Sequence, residues 1–249
     1  MNTLVVDYSH IHSGEFKENV YCPSEDTFLF VDALQRDVEF LRSCEIALAL
    51  EIGSGSGYIS TYLLMLLCQP AHQTPDANTE DDICVYSNDR IEGVKHKHQH
   101  GKDVPMVIAL DINRFANMAT LTTAQRNRTA DNINAVTMDM FSALSSCRCK
   151  AMVDLILFNP PYVPSNDDDC GGSSIDLAWN GGHMGRDVID RFINSVGVGS
   201  DTRHPLLVEK RNDVSSVLNM IAMHGFHAEI ILSRQIIGET LYIIRFSRV

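Results

Sequence analysis

The 249-residue sequence predicts an α/β fold, a seven-stranded and mostly parallel sheet closed by an antiparallel C-terminal hairpin, with helices on both faces. Three observations predict it. Apolar runs of four to eight residues alternate with amphipathic stretches, the pattern of buried strands covered by helices on each side. The first apolar run ends in a glycine-rich turn that opens directly into a helical stretch, as at the carboxyl ends of strands in open α/β sheets. Two β-rich runs close the chain with no room for a helix between them, so they must pair as a hairpin.

The elements follow in order. Glu25 to Leu41 reads as the first helix, with Pro23 before it, Ser24 as N-cap, and Glu25 and Asp26 against the positive end of its dipole. Ile46 to Glu51 is a buried strand and Tyr58 to Cys68 a helix, about half the roughly 20 residues needed to span a bilayer. Gln69 to Val104 breaks the alternation: it is polar, carries Pro70, Pro75 and the acidic run Glu80 to Asp82, and is too long for an ordinary connection. It reads as a partly disordered insertion in a single domain spanning 1–249, with one short strand-like run, Ile83 to Tyr86, inside it. The alternation then resumes. Met106 to Asp111 is a strand, Phe115 to Arg126 a helix, a further strand ends near Asp139, and Val153 to Phe158 is buried. Ser165 to Ser174, rich in Asp, Gly and Ser, reads as a mobile loop. Helix Val188 to Ser195, strand Leu206 to Glu209, helix Asp213 to His224 and the hairpin strands Ala228 to Ser233 and Thr240 to Phe246 complete the chain.

Composition narrows the function. Apolar residues make up 45% and charged residues 21%, ordinary globular usage. With 20 Lys and Arg against 32 Asp and Glu the net charge is -12, a field that repels phosphate backbones and anionic membranes and argues against a nucleic-acid or membrane partner. Seven cysteines, an odd number without repeated spacing, read as reduced thiols. Met1 to Asp7 lacks the basic-then-apolar form of a signal peptide, and the expected location is the cytoplasm, with the nucleus as the other compartment open to it. No metal site is expected, because His96, His98 and His100 alternate within a polar insertion and Cys147 and Cys149 form an isolated pair, neither of which has the paired spacing of zinc ligands.

Two motifs carry the chemistry. In Glu51-Ile-Gly53-Ser-Gly55-Ser-Gly57 the glycines leave backbone amides open to a ligand, but the spacing is not that of a dinucleotide or triphosphate loop. Glu51 places negative charge at the strand tip, which repels phosphate and suits a ligand with a cationic centre, S-adenosylmethionine. Asp111, at the end of the next strand and followed by a clean helix, is the candidate for the ribose hydroxyls, with Asp89 of the insertion as its decoy. Asp139 ends a further strand and is placed to accept from an adenine amino group. The second motif is Asn159-Pro160-Pro161-Tyr162. Two prolines have no N–H, so the turn presents only carbonyls, and with the Asn159 side-chain oxygen it offers two rigid acceptors to a planar NH2 group. Tyr162 supplies a ring for a flat substrate to stack on. Trp179 is expected to pack beneath its loop, while Arg186 and Arg191 are open between an acidic target and local pairing.

Together Pro23-Ser-Glu-Asp-Thr27-Phe-Leu, Leu50-Glu-Ile-Gly-Ser-Gly-Ser-Gly57, Asn159-Pro-Pro-Tyr-Val163 and the run from Ala178 to Phe192 resemble the eukaryotic and archaeal release-factor glutamine methyltransferases, HemK-like members of the Rossmann-like class I methyltransferases. The likeness reaches Leu232-Ser-Arg-Gln235, and departs at the insertion and at a shortened stretch between Phe192 and Leu206. The resemblance implies N5-methylation of the glutamine in the Gly-Gly-Gln motif of a peptide chain release factor, in a heterodimer with a small zinc-binding activator subunit. It implies that Thr27, Glu51, Gly53, Gly55, Asp111, Asp139 and Asn159 contact the cofactor, and that Asn159, Pro160, Pro161 and Tyr162 hold the substrate amide. Two rivals share the features: an adenine-N6 or protein-lysine methyltransferase using the same turn, and a cofactor-binding scaffold without turnover.

Overall fold

The computed structural model describes residues 4–69, 104–139, 142, 152–165, 175, 178–196 and 203–248. The short strand expected at Ile83 to Tyr86, Asp89, the histidine run, Cys147 and Cys149, and most of the loop after Ser165 lie outside the described residues.

Seven strands form one sheet in the order β3-β2-β1-β4-β5-β7-β6. They are β1 Leu48–Ile52, β2 Met106–Asp111, β3 Ile133–Thr137, β4 Leu155–Phe158, β5 His204–Glu209, β6 His227–Ile236 and β7 Glu239–Ser247. β1 to β5 run parallel, and β7 lies antiparallel to both β5 and β6. The expected hairpin is therefore present, turning through Ile237 and Gly238. The helices are α1 Gly14–Asn19, α2 Glu25–Arg36, α3 Val38–Ser43, α4 Tyr58–Cys68, α5 Arg114–Arg126, α6 Asp187–Ser195 and α7 Val214–Met223.

Strand alternation divides the core into two layers. Ala49, Leu155, Leu157, Leu207 and Ile243 point to one face, where Leu29, Phe30 and Leu34 of α2 and Leu63, Leu64 and Leu66 of α4 cover them. Leu50, Ile52, Ile156, Phe158, Leu206, Val208 and Ile244 point to the other, beneath Ile189, Phe192 and Ile193 of α6 and Val217 and Ile221 of α7. α4 is apolar around nearly its whole circumference because little of it reaches water.

Several boundaries differ from those read in the sequence, among them the starts of β1 at Leu48 and of β4 at Leu155, each two residues later than expected. The single helix expected over Glu25 to Leu41 breaks at Asp37, whose carboxylate is bonded to Arg245 of β7 at 2.6 Å, pinning the break to the sheet. β5 begins at His204, two residues before the expected Leu206, because His204 and Pro205 are buried and pair with β7 despite their poor strand propensity. β6 runs on to Ile236, beyond the expected end at Ser233, and carries a register shift between Ile230 and Leu232.

The order β3-β2-β1-β4 places four parallel strands side by side with their carboxyl ends on one edge. The chain leaves β1 towards β2 on one side and returns as β4 on the other, and at such a switch point open α/β sheets bind their ligands.

Candidate active site

A cavity of about 330 Å³ opens at that edge, in the ordinary size range of ligand sites. Thr27, Glu51, Gly53, Gly55, Asp111, Asp139, Asn159, Pro160, Pro161 and Tyr162 all line it, so residues separated by up to 135 positions in the chain meet on one surface.

The turn after β1 forms one wall. Gly53 and Ser54 donate their backbone N–H groups to the Leu110 carbonyl of β2, at 2.8 and 3.2 Å. Gly57 closes the turn at φ +75°, and a Cβ there would stand 2.6 Å from the Thr120 Cα. Only glycine meets both conditions. α5 anchors the turn from below: Thr120 donates to the Ser54 hydroxyl at 3.0 Å and Thr123 to the Ser56 carbonyl at 2.6 Å.

Glu51 departs from the simple reading of an ionised strand tip. Its side chain is buried and accepts from the Ser60 N–H at 3.1 Å and from the Ser60 hydroxyl. Burial outweighs those two bonds and pushes its pKa up to about 8, with the nearby Asp111 adding in the same direction. At neutral pH the carboxyl therefore stays largely protonated until a cation approaches. Asp111, at the tip of β2, accepts from the Gly55 N–H at 3.0 Å with one oxygen and from the Asn113 N–H at 2.8 Å with the other. Burial raises its pKa while these bonds oppose the rise. Each oxygen keeps a lone pair for a further donor. Asp139 lies two residues beyond the end of β3 and is exposed at the rim, and Thr27 belongs to the capping box that opens α2.

The opposite wall is the turn after β4. The Asn159 side-chain NH2 donates to Asp26 at 2.9 Å, and its Oδ1 is buried with no partner. An orphaned buried acceptor costs about 1–3 kcal/mol, so this atom marks a place where a donor is missing. The Tyr162 carbonyl accepts from the buried Asn212 side chain at 2.9 Å, and the same NH2 bonds the Met184 carbonyl, fixing the turn to the loop before α6. The Tyr162 hydroxyl reaches Glu239 at 3.5 Å, and burial raises its pKa.

Three features are not legible in the sequence. Asp26, a dipole partner of α2 by its position, also lines the cavity and holds Asn159. Trp179, expected beneath its loop, instead forms part of the cavity wall and is half-buried, next to Asn180, which pairs with Val163. Tyr21, just before α2, also lines the cavity and donates to Asp26 at 3.3 Å. None of the three carries a local signal beyond its residue type. Of the two arginines, Arg186 pairs locally with Asp190 at 2.6 Å, whereas Arg191 lines the cavity. Among the described residues no cluster of three His, Cys, Asp or Glu is placed to hold a metal, and no helix is long and apolar enough to cross a membrane.

Comparisons with known proteins find relatives along nearly the whole chain. No family model matches the chain. Human "Methyltransferase HEMK2" is 32% identical over 246 residues, covering 97% of this chain and 95% of that protein. The fission yeast (Schizosaccharomyces pombe) "eRF1 methyltransferase catalytic subunit mtq2" is 30% identical over 252 residues, covering 97% and 94%. Among solved structures, Mtq2 of E. cuniculi, in its complex with Trm112, superposes with a TM-score of 0.57 at 26% identity, covering 93% of this chain and 99% of that one. The methyltransferase domain of METTL16 shares the fold at a TM-score of 0.54 and 12% identity, over 97% of this chain and 92% of that one. Identity of 30–32% sustained over nearly the full length of both chains is a relation of the whole molecule, and this chain belongs to the HEMK2 and Mtq2 family of methyltransferases.

Proposed function

We propose that this chain binds S-adenosylmethionine and methylates the side-chain amide nitrogen of the glutamine in the Gly-Gly-Gln motif of a peptide chain release factor, as the catalytic subunit of a heterodimer with a small zinc-binding partner. The observation that carries the reading is the Asn159 Oδ1: a buried acceptor without a donor, beside a turn whose two prolines can only accept, facing a glycine turn across one cavity.

The cavity suits this cofactor. Gly53 and Gly55 leave backbone exposed, Asp111 keeps lone pairs for a diol, Asp139 stands at the rim for an exocyclic amine, and Glu51 ionises readily once a positive charge is beside it. Thr27 and Asn159 complete the set that would hold it. When bound, S-adenosylmethionine supplies a methyl group on a sulfonium sulfur. Asn159 Oδ1 and the neighbouring proline carbonyl accept the two N–H bonds of the substrate amide, which fixes the nitrogen and stabilises the positive charge that grows on it. An amide nitrogen is a poor nucleophile because its lone pair is delocalised, so positioning supplies much of the rate. The nitrogen gives up its proton after attack, and no side chain has to remove it beforehand. Tyr162 and Trp179 flank the acceptor and exclude water.

The relatives support the acceptor and the partner: the fission yeast protein is described as an eRF1 methyltransferase catalytic subunit, and the E. cuniculi complex as responsible for methylation of the eRF1 translation termination factor. Exposed apolar side chains at the β3 edge, Val136 at 38% and Met138 at 39% exposure, are of the kind a second subunit covers. Against an adenine acceptor stand the net charge of -12 and the acidic side chains Asp26, Asp111 and Asp139 in the cavity lining, which repel a polynucleotide backbone.

The test is transfer of a labelled methyl group to a release factor with its Gly-Gly-Gln glutamine intact and, in parallel, to one carrying Ala there, with the partner subunit present. Label is expected only on the first. Asn159→Ala should slow transfer by about 10²–10³-fold while weakening cofactor binding by less than about tenfold, read by single-turnover labelling and calorimetry. Equal labelling of both release factors, or of neither, would overturn the assignment.

A further inference from the structure

We infer that Asp26 is a positioning residue for methyl transfer, and that it works by fixing the amide of Asn159 so that Oδ1, and not the NH2, faces the acceptor nitrogen. The inference rests on the function proposed above and extends it to a residue 133 positions away in the chain.

Asparagine is ambivalent: rotating its amide by half a turn exchanges a donor for an acceptor in the same space. An acceptor site built on such a side chain works only if one orientation is enforced. Asp26 enforces it, because an ionised carboxylate accepts and never donates, so the Asn159 NH2 must face it; the flipped amide would set oxygen against oxygen. The carboxylate is itself fixed. It occupies the first turn of α2, where the helix dipole favours negative charge, and it is 5% exposed. One of its oxygens receives Asn159 at 2.9 Å, and the other receives the Tyr21 hydroxyl at 3.3 Å and the Thr27 hydroxyl at 3.4 Å. With Tyr21, Thr27 and Asn159 all donating to Asp26, the one atom of this network left unpartnered is Asn159 Oδ1. The substrate therefore meets a fixed acceptor, and a group must bring an N–H to be held there.

The experiment compares wild type, Asp26→Asn and Asp26→Ala, each in complex with the partner subunit and at saturating cofactor. The amide introduced by Asp26→Asn still accepts through its oxygen but is neutral and free to flip, whereas Asp26→Ala leaves Asn159 without a partner. The expected order of kcat is wild type, then Asp26→Asn lower by about 3–10-fold, then Asp26→Ala lower by about 10–100-fold. KM for the release factor should change by less than about 3-fold and Tm should not follow the same order. The Asp26→Ala/Asn159→Ala double variant should be no slower than Asn159→Ala alone in single-turnover labelling, because Asp26 acts through Asn159. If kcat of both single variants stays within about 2-fold of wild type, or falls only with the folded fraction, or the double variant shows additive losses, the inference is wrong. A second readout is independent of activity: the Asn159 side-chain NH2 resonances of the free protein should be shifted and slow to exchange in wild type and should collapse towards free-amide values in Asp26→Ala. If wild type labels no release factor, the function fails. The contact is then judged by these resonances alone, and their indifference to Asp26→Ala overturns it too.

Discussion

His204 gives a stability prediction whose size follows from its surroundings. It begins β5, is 1% exposed, and neither ring nitrogen has a hydrogen-bond partner. Its neighbours are the rings of Phe192, Phe226 and Phe246, at centroid distances of 6.1, 5.7 and 4.7 Å. Nothing there stabilises a proton, and burial lowers its pKa to about 3. In the unfolded chain the group returns to about 6.5, so between these values the unfolded state takes up a proton that the folded state refuses. The stability this residue contributes as a neutral ring is present in full above about pH 6.5 and is lost as pH falls towards about 3. From about pH 8 to pH 5 the loss is roughly 1.5 pK units at about 1.36 kcal/mol each, about 2 kcal/mol. Glu51 and Asp111, whose folded pKa values are raised, act with the opposite sign, so the measurement must be a difference. Urea unfolding of wild type and His204→Phe at pH 8, 7, 6 and 5 supplies it. The variant removes both unpaired nitrogens and keeps a flat ring. Overpacking shifts the variant by a constant, but the gap between the two proteins should move in its favour by about 2 kcal/mol between pH 8 and pH 5. A gap that does not change with pH would show that the imidazole is hydrated or paired in the folded protein and would refute the reasoning.

Other outcomes follow from the same geometry. Because Glu51 holds its proton up to about pH 8 in the free protein, binding of a cationic cofactor at pH 7 should release close to one proton, detected by calorimetry in buffers of different ionisation enthalpy; Glu51→Gln should abolish the release. Asp111→Ala should weaken cofactor binding by about 10-fold or more, since it removes both a ligand for the sugar and the acceptor that holds the Gly55 N–H; an unchanged Kd would remove Asp111 from the site. Gly57→Ala forces a Cβ onto the Thr120 backbone at positive φ and should destabilise the fold by about 2–4 kcal/mol in denaturant titration, with loss of cofactor binding in whatever remains folded.

What the sequence made legible, and what it hid, divides by the range of the forces involved. A strand that must be buried on both faces writes itself as a run of apolar residues, and the turn after it writes itself in glycine or proline; both signals are local, which is why Gly53, Asp111 and Asn159 are readable one strand at a time and why a shared sheet edge is enough to bring them together. Element ends are less legible where a distant partner decides them. The break at Asp37 exists because Arg245 of β7 meets it, and the extra residues of β5 exist because His204 and Pro205 lie opposite Phe246 and Arg245. The charge state of Glu51 is hidden for the same reason: a carboxylate at a strand tip looks ionised until the packing around it, with Ser60 as its partner, is known. Asp26 is the sharpest case. As the second residue of a helix it has a complete local explanation in the dipole, and that sufficiency conceals the second role, since one carboxylate serves helix and turn at once. The orientation of the Asn159 amide depends on α2 holding Asp26 against the turn after β4. The segment that begins with Tyr21 is therefore as much a part of the site as the strand ends that announce it, and a lesion there should cost turnover before it costs cofactor binding.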